Sequence, residues 1–583
     1  MRRWVFLPLF LAGCAALYIL QRSNASAPIT PRPLLYIVAD TQREAERIPL
    51  ALTRVSDQEE IKVGQKIAMD YGLPSQHSDN PDVARISAYL NSVGDKIAEH
   101  VQRKAIPYHF YVQDDRNLVN AFALPGGHIV VGRGLLELIE SEDELAAVLG
   151  HEITHVDNRH AIGSLQYELA SRKIGLGEAY QIGRPAVEVF EAGYTKDQEL
   201  EADRVGLGLA VAAGYSPAGA VALLRRFQQL EPADTQRAAS PIEEFAEVPF
   251  SALAEYFRSH PPASERRAAL EGEISARGWD SSRPLRPLGI RMIFLSDAGE
   301  RLNRAGNFQT SIERFKEALT LDPTYVRAWR GLAAVSWRSG DARETARAEE
   351  EAIRRGAVGL DWPFLARALA ASDPKNGLSR LTALEEGAYG NTVYGVPAVN
   401  DSFRSAKVNQ AGFEFLQGNK NALADFQAIL RDAPQTPSIQ AAALYVMAWW
   451  TYRAGKLDVA EKELQNAHQI LPGYGGVDLQ LAWVLTDLGR QADAETLVDS
   501  PKQIDRAERQ ALQAVLKWRT EDRQGAALQF EAAARTDPVW MVPGYVENNY
   551  SNAAASVIKQ LQAGESARRL KEMQERRRRL VQR

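Results

Sequence analysis

The chain has 583 residues, with 69 Lys+Arg against 74 Asp+Glu, a net charge of −5, 25% charged and 45% hydrophobic residues. These values exclude a largely disordered chain and a many-span membrane protein, and the slightly acidic balance argues against nucleic acid as the main ligand. A single cysteine, Cys14, excludes an internal disulfide and any structural zinc site built on several cysteines.

At the N-terminus, Met1-Arg2-Arg3 precedes an apolar run from Trp4 to Leu20 that Gln21-Arg22 closes. A positive head before a hydrophobic stretch is read as an export signal or membrane anchor. Leu11-Ala12-Gly13-Cys14 resembles the bacterial lipoprotein box, in which the cysteine receives lipid. The apolar run continuing to Leu20 favours an uncleaved anchor, and Ala25-Ser26-Ala27 offers a plain cleavage site. These three alternatives stay open for residues 1–27, and all place the remainder outside the cytoplasm; the expected location is the periplasm, membrane-associated through the N-terminal anchor or a lipidated Cys14. Residues 28–54, with Pro28, Pro31 and Pro33, form a linker.

Residues 55–278 carry helix-period segments and one strand-like stretch, Asn120 to Val131, turned by Pro125-Gly126-Gly127. The sharpest motif is His151-Glu152-Ile153-Thr154-His155, at the end of a segment with helical periodicity. Positions i and i+4 share a helix face, so both imidazoles can hold one zinc ion, and Glu152 projects beside it to take a proton from water. The motif lacks a third histidine six residues on, where Ala161 stands. A second acidic pair, Glu199 and Asp203, lies on a later helix, again at i and i+4. One can bind metal while the other orients a ligating histidine. Glu201 points away from that face and is expected to be solvated, and His160 to close a helix turn.

Beyond a Pro-rich joint at Pro284 to Pro287, Ala/Leu/Arg/Glu-rich helical pairs repeat. Arg304-Ala305-Gly306-Asn307 recurs as Arg338-Ser339-Gly340-Asp341, and Gly455 and Gly489 are also 34 residues apart. The stretches at Gly418-Asn419 and Arg519 to Asp522 are less regular copies. A 34-residue period of two helices resembles the tetratricopeptide repeat, whose units stack into a solenoid with a concave face. The expected division is repeats over 288–355, an insertion or connector over 356–404, tetratricopeptide-like repeats over 405–575 and a basic tail over 576–583. Trp449-Trp450 is expected in the core. The Arg576 to Arg579 run reads as a solvated helix end, or more sharply as a contact for an anionic membrane surface.

The pairing of HExxH with Glu199-Leu200-Glu201-Ala202-Asp203, together with Asn120 to Val131, Ser141 to Leu145 and His155 to His160, resembles the HtpX/CAAX-prenyl-protease-like family of gluzincin zinc metallopeptidases. Within that family the chain resembles the periplasmic, BepA-like branch, which joins such a protease to tetratricopeptide repeats. The resemblance implies His151, His155 and Glu199 as ligands of one Zn2+, Glu152 as general base and acid, and Asp203 behind a ligand. His260-Pro261-Pro262-Ala263-Ser264-Glu265-Arg266 resembles the family's H-P-x-x-x-x-R element. It implies His260 as an oxyanion donor or a fourth, latent ligand, and Arg266 as an electrostatic support.

The expected fold is therefore mainly α: a metalloprotease domain with a small sheet, then a helical solenoid. Asn120, Ala121, Phe122, Ala123, Gly126 and Gly127 are candidate substrate-binding residues, since an edge strand can pair with an extended peptide. The expected function is a zinc metalloendopeptidase of the cell envelope acting on unfolded or misassembled envelope proteins, with the outer-membrane assembly machinery as a partner through the repeats. The alternative is a chaperone-like adaptor with latent proteolysis.

Overall fold

The computed structural model describes residues 55–73, 80–171, 194–230, 260–357, 362–389, 397–432, 436–472, 476–498 and 505–581. The N-terminal signal, anchor or lipidation alternatives, Cys14 and the 28–54 linker lie outside them. No helix among the described residues is long and apolar enough to cross a membrane. The chain divides into two compact units at Arg291/Met292.

In the first unit, α1 (Asp57–Asp70) opens with a capping box between Ser56 and Glu59, and α2 (Pro81–Ala98) with Asn80 as cap and Pro81 in its first turn. Three short strands follow, β1 (His109–Gln113), β2 (Ala121–Leu124) and β3 (His128–Gly132), in the order β1-β3-β2. β1 runs parallel to β3 with His109 opposite His128, and β2 runs antiparallel to it with Ala121 opposite Val131. The β2–β3 turn needs two left-handed residues, and Gly126 (φ 76°) and Gly127 (φ 92°) supply them.

After the short α3 (Arg133–Leu138) comes the central helix, α4 (Glu142–Asp157). Ser141 accepts a hydrogen bond from the Glu144 amide, and three acids in the first turn complement the helix dipole. Almost all of α4 is buried, polar residues included, because α2, the sheet, α6 (Lys196–Ala212) and α7 (Ala218–Leu230) enclose it. Its exit is tied down by Asp157, which accepts from the amides of Gln102 and Arg103. α5 (His160–Ser171) and α8 (Ala263–Arg277) complete the unit.

The second unit is helical throughout its described residues. The pairs are α9 (Arg291–Arg304) with α10 (Phe308–Leu321), α11 (Val326–Arg338) with α12 (Ala342–Arg354), and α13 (Trp362–Ser372) with α14 (Gly377–Tyr389). They continue with α15 (Pro397–Leu416) and α16 (Ala422–Asp432), α17 (Pro437–Arg453) and α18 (Leu457–Ile470), and α19 (Val477–Asp487) and α20 (Gln491–Val498). The last pair is α21 (Arg506–Arg519) with α22 (Arg523–Thr536).

The glycines at the turns of these pairs share one job. Gly306, Gly340, Gly418, Gly455 and Gly489 all have φ between 73° and 88°, each ending the first helix of a pair. The following amide reaches back across the turn, as Asn307 does to Leu302 and Asp341 to Ser336. In the last pair Glu521 takes that conformation (φ 64°), which is why the copy there reads as irregular. Within the expected insertion, α13 contributes Trp362, Leu365 and Leu369 to a core shared with Trp337 and Trp450.

The chain then folds back over its own repeats. Asp537, the turn Pro538–Met541 and α23 (Pro543–Asn549) run along the first helices of several pairs before α24 (Asn552–Val581) begins. Arg338 donates to Asp537 at 2.7 Å, and a Cβ at Gly340 would stand 2.8 Å from Gly544 Cα. Trp540 stacks near Trp483, and Tyr550 donates to Glu508 at 3.0 Å. Residues 537–551 thus cover part of the surface formed by the first helices of these pairs.

Candidate metal centre

The site is built on two helices and one loop. His151 and His155 project from the same face of α4, with their Nε2 atoms 3.1 Å apart. Glu199, in the first turn of α6, faces both: its oxygens lie 3.6 Å from each of those nitrogens. His260, just before α8, brings its own Nε2 within 3.7 Å of Glu199. The ligand atoms of His151, Glu199 and His260 all lie within 4.8 Å of one another.

Both carboxylate oxygens of Glu199 are buried and have no hydrogen-bond donor. Leaving a buried carboxylate unmatched is costly, so this donor set fits a cation. Three imidazole nitrogens and a carboxylate are the ligand types that zinc takes in tetrahedral sites.

Behind the donors lies a supporting layer. His151 Nδ1 is 2.9 Å from Asp203 Oδ1, and Arg266 forks onto Asp203 with bonds of 2.6 and 2.8 Å. Burial pushes the Asp203 carboxyl up, but the Arg266 guanidinium and His151 outweigh it and hold it well below the carboxylate range. Burial likewise opposes charge on His151, yet its bond to Asp203 and the nearby Glu199 carboxylate raise it to about 10 in the metal-free protein. Glu199 would also be raised by burial, but His260 and His151 keep it ionised.

His155 has a different support. Its Nδ1 lies 3.1 Å from His160 Nδ1, whose Nε2 is 3.3 Å from Glu201. Asn158 also donates to Glu201, at 3.0 Å. Tyr194 stacks on the His155 ring at 3.7 Å and donates its hydroxyl to the Ala123 carbonyl. His160 and Glu201 are therefore tied to the centre, against the expectation that the first merely closes a helix turn and the second is simply solvated; Glu201 does keep a side chain 44% exposed. Helical phase alone missed this, because the kink between α4 and α5, with Arg159 at φ 63°, turns His160 back toward His155.

Glu152, next to His151, lines a cavity with Asn120, Ala121, His260 and the apolar Leu223 and Phe227. Burial pushes its carboxyl up to about 7, with nearby Glu199 and Asp203 adding to the shift and His151 opposing it. Asn120 and Ala121 of the predicted substrate segment do face this cavity. Phe122, Gly126 and Gly127 correct that expectation. Phe122 sits in a core with Val63, Ile67 and Leu165, and the Gly126 amide donates to Glu60. A Cβ at Gly127 would stand 2.0 Å from the Pro107 carbonyl oxygen. Ala123, on the edge strand, spends its carbonyl on Tyr194.

Two histidines one turn apart, an acid between them and a carboxylate from a second helix define a metallopeptidase-type centre. Residues 84–274 match the model of peptidase family M48. The "Beta-barrel assembly-enhancing protease" of Escherichia coli (strain K12) is 28% identical over 178 residues, covering 27% of this chain and 36% of the relative. The match thus spans about a third of that relative's length. "Metalloprotease YcaL" of the same organism is 26% identical over 225 residues, 36% of this chain and 80% of the relative. Among solved structures, a tetratricopeptide repeat protein from Parabacteroides merdae is 15% identical, covering 47% of this chain and 98% of its own, with a TM-score of 0.28.

Proposed function

We propose that the chain is a zinc-dependent metalloendopeptidase of the bacterial cell envelope that degrades or processes misfolded or unassembled envelope proteins in the periplasm. The observation that carries this reading is Glu199, whose donorless oxygens face His151 and His155 beside Glu152 at the mouth of a cavity. His151, His155 and Glu199 would hold the ion, with Asp203 fixing the His151 ring. Zinc held there supplies Lewis acidity toward a peptide carbonyl and lowers the pKa of water toward ~7.

The residues of the chain do the rest. Glu152, raised by burial to about 7, is suited both to accept a proton from water and to return it to the leaving amine nitrogen. His260, lining the same cavity, is the candidate donor to the developing oxyanion. Arg266 acts through Asp203. Asn120 and Ala121, at the start of the edge strand β2, are the segment best placed to align an extended chain, and the apolar wall of Leu223 and Phe227 suits a hydrophobic side chain.

Substrate choice is assigned to the repeats, on the part of their surface that residues 537–551 leave open. The name of the Escherichia coli relative, an assembly-enhancing protease for β-barrels, supports β-barrel assembly as the setting. A second reading, an assembly factor with latent proteolysis, is favoured by His260, close enough to Glu199 to serve as a fourth donor.

Glu152→Gln tests the choice. It is expected to keep the metal and the fold while losing 10²-fold or more, to an order of magnitude, in cleavage of an unfolded protein such as casein. Full biological activity in that variant would favour the assembly-factor reading.

A further inference from the structure

The last helix outruns the body it belongs to. α24 is anchored by Ala554, Ala555, Ile558 and Leu561 in the core and by Gln562, which donates to the Trp540 carbonyl at 2.7 Å. Its last packed residue is Glu565; from Ser566 to Arg579 every side chain except half-buried Arg568 is exposed. This overhang carries seven Lys or Arg against two acids, a local charge of +5 in a chain whose total is −5. Ion pairs from Arg568 to Glu565 and Glu572, and from Arg569 to Glu565, hold its first turns. Beyond them Lys571 and Arg576 to Arg579 have no carboxylate partner among the described residues.

The side chains are sorted around the axis. At about 100° per residue, Leu570, Met573 and Arg577 fall within about 60° of one another. Leu570 and Met573 are 55% and 64% exposed, among the barest large apolar residues described. Arg569 and Arg576 flank this stripe on one side and Arg578 on the other; Lys571 and Glu572 stand farther round at equal angles, and Glu575 shares the far face with Arg568 and Arg579. In the sequence, Leu580 and Val581 continue the same spacing. A narrow exposed apolar stripe with basic margins on a strongly cationic helix is the pattern of a helix that lies in the plane of an anionic bilayer surface.

We propose that residues 566–581 form an interfacial membrane-binding helix whose partner is an anionic phospholipid surface. The stripe enters the headgroup layer, and Arg569, Arg576 and Arg578 meet phosphates on either side. Charge decides against a second copy of the same helix in this seat: each would present +5 to the other, with Arg577 in the middle of the contact. The proposal stands apart from the peptidase reading and from any attachment at the N-terminus.

The test uses the full chain with Cys14→Ser and Gln574→Cys, carrying an environment-sensitive fluorophore at 574. Phosphatidylcholine vesicles are compared with vesicles that also contain phosphatidylglycerol. The expected result is a blue shift on the anionic vesicles only, reversed by high salt. Replacing Arg576 to Arg579 by Gln should weaken that partitioning by a factor of ~10² or more, and Leu570→Glu should abolish the shift. An equal shift on both vesicle types, no shift on either, or indifference to the four Arg→Gln changes would overturn the proposal. A shift that grows with protein concentration without vesicles would overturn it in favour of self-association.

Discussion

Gly150 and Gly206 bring two helices into backbone contact: a Cβ on Gly206 would stand 2.5 Å from the carbonyl carbon of Gly150. This crossing of α4 and α6 lies one residue from His151 and three from Asp203. It sets how far Glu199 stands from the two imidazoles. Gly206→Ala is expected to force the helices apart at a cost of about 1–3 kcal/mol. Thermal melting should show the loss of stability, and equilibrium metal titration a matching loss of affinity. A Gly206→Ala protein with unchanged affinity would mean that the ligand spacing is set elsewhere.

Arg266 is the counter-charge that lets Asp203 stay ionised behind His151. Arg266→Ala leaves a buried carboxylate without its partner, a loss of about 3–5 kcal/mol in such settings. Metal affinity should fall about 10–100-fold because the His151 ring loses its support. Chelator competition reads this directly, and Arg266→Lys should restore only part of it, since one ammonium cannot reproduce the fork.

The pair His160 and Glu201 makes a separate prediction for His155. His160→Ala removes the contact at 3.1 Å on His155 Nδ1, and metal release in a stopped-flow chelation experiment should quicken about 10-fold. Glu201→Gln should give a smaller effect in the same direction. If neither changes release, Tyr194 stacking alone orients the ring.

In the second unit, Glu463 is buried against Thr451, whose hydroxyl lies 2.8 Å away. Burial raises the Glu463 carboxyl from 4.5 to about 7. The folded protein therefore binds a proton that the unfolded chain has released above about 4.5. Stability from this group is full below that value and lost as pH rises toward about 7. The loss amounts to ~3 kcal/mol at 1.4 kcal/mol per pKa unit. Urea unfolding of the repeats, followed by tryptophan fluorescence at pH 5 and pH 8, should show it. Glu463→Gln should remove this share of the pH dependence and leave that of Glu508, which burial also raises to about 7.

Local rules carried much of the design into the sequence. The i, i+4 spacing of His151 and His155 with Glu152 between them, the second acidic pair at Glu199 and Asp203, and the 34-residue glycine spacing each depend on one helix or one turn. Periodicity alone can state such features, because side-chain direction repeats every 3.6 residues and a left-handed turn demands glycine. What depends on two elements meeting was not legible there. The contact of Gly150 with Gly206, the return of His160 and Glu201 to His155, and the fork of Arg266 on Asp203 all join residues whose phases are independent in the sequence. The burial of Phe122 and the laying of residues 537–551 over the first helices are of the same kind. Packing decided them, because a buried charge must find its partner and an apolar face its cover only once the chain has closed.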